Sequence, residues 1–112
     1  MIYISHRGNV GGPNTAYMGE NTLAAIKDVL ASEVLHIEID VWSDVQTKRF
    51  ILGHDRPPTD VIGRFQGQVF DPSGYTDSER QRLWIHCKNT DAVVALQESK
   101  VEYLNYFWHD KD

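Results

Sequence analysis

Two carboxylates spaced two residues apart, Glu38 and Asp40, sit inside an alternating run, Leu35-His36-Ile37-Glu38-Ile39-Asp40-Val41. Period-two alternation is the pattern of a β-strand with two unlike faces. Leu35, Ile37, Ile39 and Val41 then share one face, and His36, Glu38 and Asp40 the other. Carboxylates are depleted in strands, and a pair of them just before a loop suits a hard divalent cation, which takes oxygen ligands. An acidic, solvated strand face has the same pattern, so on this run alone both readings stand.

Further residues of the right chemical kind close other extended runs. His6-Arg7-Gly8 follows Ile2-Tyr3-Ile4-Ser5, and His54-Asp55 follows Arg49-Phe50-Ile51-Leu52-Gly53. His86 and Lys88 share one face of the run at 83–89, and His109 follows the aromatic run at 101–108. Arginine offers phosphate a rigid two-pronged fork, and histidine carries a proton near neutral pH. A divalent ion on Glu38 and Asp40 would polarise a phosphoryl oxygen, while Arg7 and Lys88 neutralise the remaining anionic charge. One histidine would then act as base and another as acid. Phosphodiester cleavage is the chemistry this inventory describes. Taken singly, each residue also has a plainer place: His6-Arg7 in a surface turn, His86 in a buried hydrogen bond, His109 exposed after the last strand.

These residues need elements to hold them. The extended run at 2–5 leads through a loop rich in turn formers, 9–15, to a helix that Asn21 or Thr22 caps, with Leu23, Ile26, Val29 and Leu30 at helical spacing. Strand, helix and strand within some forty residues form a βα unit with parallel strands. A tight connection at 46–48 makes 42–55 a hairpin that brings His54 back to the same end of the sheet. Residues 62–75, with Gly63, Gly67, Pro72 and Gly74 and no periodicity, are expected to be a lid or an elaborated loop. A polar turn is expected at 76–82, a third strand at 83–89, a short helix capped by Thr90 or Asp91, and a fourth strand at 101–108. Parallel βα folds keep their chemistry at the carboxyl ends of the strands, where the set above collects.

In order and spacing, His6-Arg7-Gly8, Glu20-Asn21-Thr22, Glu38-Ile39-Asp40-Val41 and His54-Asp55 resemble the glycerophosphodiester phosphodiesterase family, part of the phospholipase-C-like phosphodiesterases built on a TIM barrel. The likeness is close over residues 2–55 and loose over 83–109. It implies that His6 and His54 are the acid–base pair, Arg7 a phosphate ligand, Glu38 and Asp40 ligands of Mg²⁺ or Ca²⁺, and Glu20 a further pocket residue. It also implies a small phosphodiester substrate and a place in lipid metabolism. Where the family carries Glu-x-Lys on its third strand, this chain reads His86-Cys87-Lys88, keeping the lysine and exchanging the third carboxylate ligand for an imidazole. Imidazole suits Mn²⁺ or Zn²⁺ better than Mg²⁺ or Ca²⁺. His109 is a further candidate for the pocket.

The fold expected is α/β, a parallel sheet of TIM-barrel type with about the first half of a barrel, as one unit over 1–112. A whole barrel takes about 250 residues, so self-association or a missing C-terminal half barrel would have to close it. The expected function is metal-dependent phosphodiester hydrolysis; a non-catalytic binder of a phosphorylated or anionic sugar-like ligand, or an inactive barrel fragment, is the alternative. The chain is 41% hydrophobic and 24% charged, which fits a globular domain, and its net charge of −5 with no Lys/Arg run speaks against nucleic acid as partner. Cys87 is the single cysteine, no stretch reaches transmembrane length, and a cytoplasmic protein is expected.

Overall fold

In β2 (Leu35–Ser43) the alternation does what it implies: Ile37, Ile39 and Val41 are fully buried on one face, while His36 and Glu38 on the other are half-buried. The computed structural model describes the backbone of residues 3–6, and residues 21–32 and 35–108 in full. Around β2 lie β1 (Tyr3–His6), α1 (Leu23–Ala31), β3 (Phe50–Leu52), β4 (Val69–Phe70), α2 (Asp77–Arg80), β5 (Leu83–Cys87), α3 (Thr90–Glu98) and β6 (Asn105–Trp108).

These strands form one mixed six-stranded sheet, ordered β4-β3-β2-β5-β6, with β1 also on β2. Strand β5 pairs with Ile37 to Val41 of β2 in parallel, so the partners on the opposite edge must share that edge. There β1 runs parallel along Leu35 to Glu38, and β3 runs antiparallel along Val41 to Ser43. The long β2 thus carries two neighbours in succession on one side. Its first half belongs to a parallel run β1-β2-β5-β6, in chain order; its last residues belong to the hairpin that β4 completes.

Both longer helices cover the same face. Ile26, Val29 and Leu30 of α1 and Ala92 and Leu96 of α3 join Ile37, Ile39, Val41, Leu83, Ile85 and Cys87 in a single core. Thr22 caps α1 by accepting from Ala25 N. At the other end, Arg82 at the start of β5 donates to the carbonyls of Val29, Leu30 and Leu35, fastening the last turn of α1 to the sheet. A cation beside the last carbonyls of a helix is favoured by the helix dipole as well.

Several elements differ from what the sequence suggests. The segment 62–75 contains β4 and a turn of 3₁₀-helix at Pro72–Gly74, so it extends the sheet instead of lying over it. Residues 77–80 form a one-turn helix with a complete capping box between Thr76 and Glu79, which Thr-x-x-Glu signals. Asn89, and neither Thr90 nor Asp91, caps α3, and its side chain also accepts from Ser43 N and donates to Ser43 O at the end of β2. The last strand is confined to four residues because Tyr103, at φ 60°, turns the chain just before it. Among the described residues no helix is long and apolar enough to cross a membrane.

Candidate functional site

The face of the sheet away from the helices is polar and aromatic. Alternation places His36, Glu38, Asp40 and Trp42 of β2 on it, beside Trp84 and His86 of β5 and Phe107 of β6. Asp40 and His86 are direct neighbours in register, and Glu38 lies one pleat earlier. Each of Glu38, Asp40 and His86 offers a ligand atom, and these atoms lie within 4.8 Å of one another. Three of the residues picked out from spacing alone therefore converge on one spot.

Asp40 is the centre of that spot. It is 1% exposed, yet both of its oxygens are engaged. His86 Nδ1 donates to Oδ1 at 3.0 Å, and Asn21 Nδ2 donates to Oδ2 at 3.1 Å. Asn21 Oδ1 in turn accepts from the Asp40 backbone N–H at 2.8 Å. The His86 ring is held from its other side by Phe107, stacked at 4.9 Å between centroids and 7° between planes. Packing on Phe107 and the contact of Nδ1 with Asp40 thus fix the orientation of the imidazole.

Below this cluster, Trp84 Nε1 donates to His36 Nδ1 at 2.9 Å. Burial, with the Arg82 guanidinium adding to it, lowers the His36 pKa below its usual value, which keeps the ring neutral and able to accept. His36 is therefore a structural histidine.

Above the cluster the hairpin returns as the sequence suggests. Gly53 N donates to Asp40 O at 3.1 Å, and Trp42 Nε1 donates to Gly53 O at 3.0 Å. Those two bonds anchor the residue before His54 at the level of Asp40. His54 itself is half exposed, with Nδ1 3.1 Å from Asp55 Oδ1, and it stands outside the three-residue cluster. Lys88 N donates to Val41 O at 2.8 Å, which carries the pairing of β5 one step past its end and puts Lys88 on the face of His86.

The hairpin is stiffened by carboxylates. Burial pushes the Asp44 carboxyl up, but the backbone amides of Phe65, Gln46 and Thr47 outweigh it and hold its pKa below the usual value. Asp60 is likewise held low by the Arg64 backbone amide, with the Arg64 side chain adding to it. Phe65, tied to Asp44 in this way, meets Trp42 edge-on at 6.2 Å, and Arg56 lies over the Phe65 ring.

Of the other residues expected at the site, His6 is placed as backbone only, in register with Glu38. Arg7, Glu20 and His109 lie outside the described residues. A cavity of about 640 Å³ between α1 and residues 69–79 contains none of the site residues. Spacing did not reveal Asn21 or Phe107. Asn21 is legible as a helix cap and as part of the Glu20-Asn21-Thr22 motif, but its grip on Asp40 spans 19 residues of sequence; Phe107 reads as one aromatic among several. Against known proteins, no family model, no curated protein and no solved structure matches this chain.

Proposed function

We propose that the chain is a metal-dependent phosphodiesterase domain of the glycerophosphodiester type. One observation carries this reading: Glu38 and Asp40, picked out as ligands by their spacing, and His86, which the family resemblance adds, bring their ligand atoms within 4.8 Å of one another. The donor set fits a divalent cation, since two carboxylates and one imidazole supply charge and three coordinating atoms. With His86 among them, Mn²⁺ fits better than Mg²⁺ or Ca²⁺. When bound, the cation would polarise a phosphoryl oxygen of the substrate.

The remaining chemistry belongs to side chains of this chain. Arg7 and Lys88 neutralise the phosphate and hold it. One of His6 and His54 takes the proton from a hydroxyl next to the phosphate as its oxygen attacks phosphorus, the other gives a proton to the leaving oxygen, and water then opens the cyclic phosphate with the two roles exchanged. The register of His6 on Glu38 and the bond from Gly53 to Asp40 support a common location for the two. The run β1-β2-β5-β6, parallel, in chain order and with both longer helices on one face, supports the first half of a TIM-type barrel. Closure would come from a second copy or a C-terminal half. The single cysteine, buried as a free thiol, goes with a cytoplasmic setting.

The test is hydrolysis of a glycerophosphodiester, which carries the hydroxyl next to the phosphate, with Mg²⁺, Ca²⁺, Mn²⁺ or EDTA. Turnover that requires the cation and disappears in both His6→Ala and His54→Ala is expected. A folded sample inactive with every cation would sink the enzyme reading. A binder of phosphorylated sugars has one observation in its favour, the bond between His86 and Asp40, which occupies an oxygen of the carboxylate without any cation; ligand binding unchanged by EDTA would select it.

A further inference from the structure

Asn21 belongs to neither strand of the cluster, yet it makes two of the closest contacts to Asp40. It is 8% exposed and sits at φ 46°, in the left-handed region that asparagine tolerates better than most residues. From that position its amide works in both directions on one residue. Oδ1 takes the Asp40 backbone N–H at 2.8 Å, and Nδ2 gives a hydrogen bond to the Asp40 carboxylate at 3.1 Å.

Building upon the metal site just proposed, we propose that Asn21 is a positioning residue, which sets the plane of the Asp40 carboxylate for cation binding. Held at Oδ2 by Asn21 and at Oδ1 by His86, the carboxylate cannot turn about its last bond without breaking one contact. Its direction towards Glu38 and His86 is therefore set in advance. A purely structural link between α1 and β2 would need only the bond to the backbone. It would also be redundant, because Ile26, Val29 and Leu30 already bury α1 against the sheet and Arg82 fastens its far end. The second bond, to the ligand oxygen, is the one that a structural link does not require. Partners of this kind orient metal ligands, and their loss costs about 10–100-fold in metal affinity.

The decisive variant is Asn21→Gly, since glycine accepts φ 46° without strain and removes both bonds. Thr22→Ala is its control: it deletes the helix cap next door and leaves the grip on Asp40 intact. Mn²⁺ affinity of the full chain is read by the electron paramagnetic resonance signal of the free ion. About 10–100-fold weaker binding is expected for Asn21→Gly, with wild-type affinity for Thr22→Ala. Equal weakening in both variants, or none in Asn21→Gly, overturns the inference and leaves the metal site standing. A wild-type chain that takes up no Mn²⁺ overturns both. Should Asn21→Gly fail to fold, the wild-type protein labelled with ¹⁵N decides: the side-chain amide of Asn21 shifts and exchanges more slowly when Mg²⁺ is added at saturation, and an unperturbed amide overturns the inference.

Discussion

Replacing His86 with glutamate would exchange the imidazole for the carboxylate that the resembled family carries at this point, and the structure fixes what that should cost. In the wild type, His86 donates to Asp40 and faces Glu38, so the ring relieves the mutual repulsion of the two acids. A glutamate there would put three carboxylates into a spot whose ligand atoms lie within 4.8 Å of one another. At an effective dielectric constant of about 20, two unit charges at that distance repel by roughly 3.5 kcal/mol. The newcomer meets two such partners, while partial protonation and outward rotation relieve much of the sum. A net loss of about 3 kcal/mol in metal-free protein is the working figure.

For a domain of this size, each kcal/mol lowers the thermal midpoint by about 4 °C, so His86→Glu in EDTA should unfold roughly 12 °C below the wild type. A cation present at about a hundred times its dissociation constant contributes about 2.7 kcal/mol, nearly the whole deficit. Circular-dichroism melts with EDTA, Mg²⁺, Ca²⁺ and Mn²⁺ therefore make one assay of both effects. The wild type should respond most to Mn²⁺ and the variant most to Mg²⁺ or Ca²⁺, because an all-oxygen site suits the harder ions. If the variant in EDTA melts with the wild type and ignores Mg²⁺, the three side chains do not share a cation site.

Two further outcomes follow from charge and burial. The depressed pKa values of Asp44 and Asp60 mean that their stabilisation is complete above the unfolded carboxyl value, near pH 4, and is lost as the pH falls through the lower folded values. The hairpin should loosen in acid before the core does, with the Phe65 amide, bound to Asp44, exchanging faster below about pH 4; acid unfolding of Asp44→Asn that superimposes on the wild type would refute this. Burial pushes the Cys87 thiol up to about 12, so an aromatic disulfide reagent at pH 8 should leave the folded chain unmodified and react fully in denaturant. Rapid reaction of the native protein would contradict the packing of β5 against the helices.

What the sequence made legible is whatever repeats with a period. The alternation in β2 and β5 located both faces of the sheet, and with them Glu38, Asp40, His86 and Lys88. The stripe Ile26, Val29 and Leu30 located α1 against the other face, although Leu23, included in the same stripe, is 40% exposed. Features that depend on one residue reaching a distant one stayed out of sight. Arg80 reads as part of a polar turn, yet it is buried, with its guanidinium donating to the carbonyls of Pro72, Tyr75 and Glu102 and to Asp77. Short pairings such as β4 on β3 are legible to neither periodicity nor turn chemistry, because two residues carry no period.

The division of labour within the site is nonetheless an argument about mechanism. The candidate cation ligands stand on two central, paired strands; Asp40 is gripped by Asn21 and His86, and the His86 ring is stacked on Phe107. Of the expected proton carriers, the one described with its side chain, His54, sits half exposed just beyond β3. A site built this way separates two energies. Cation affinity should follow the rigid group of Asn21, Glu38, Asp40 and His86, whereas turnover should follow the histidines, which need freedom to exchange protons with substrate and water. His54→Ala should therefore abolish hydrolysis while binding Mn²⁺ as tightly as the wild type does, and a loss of both together would place His54 among the ligands instead.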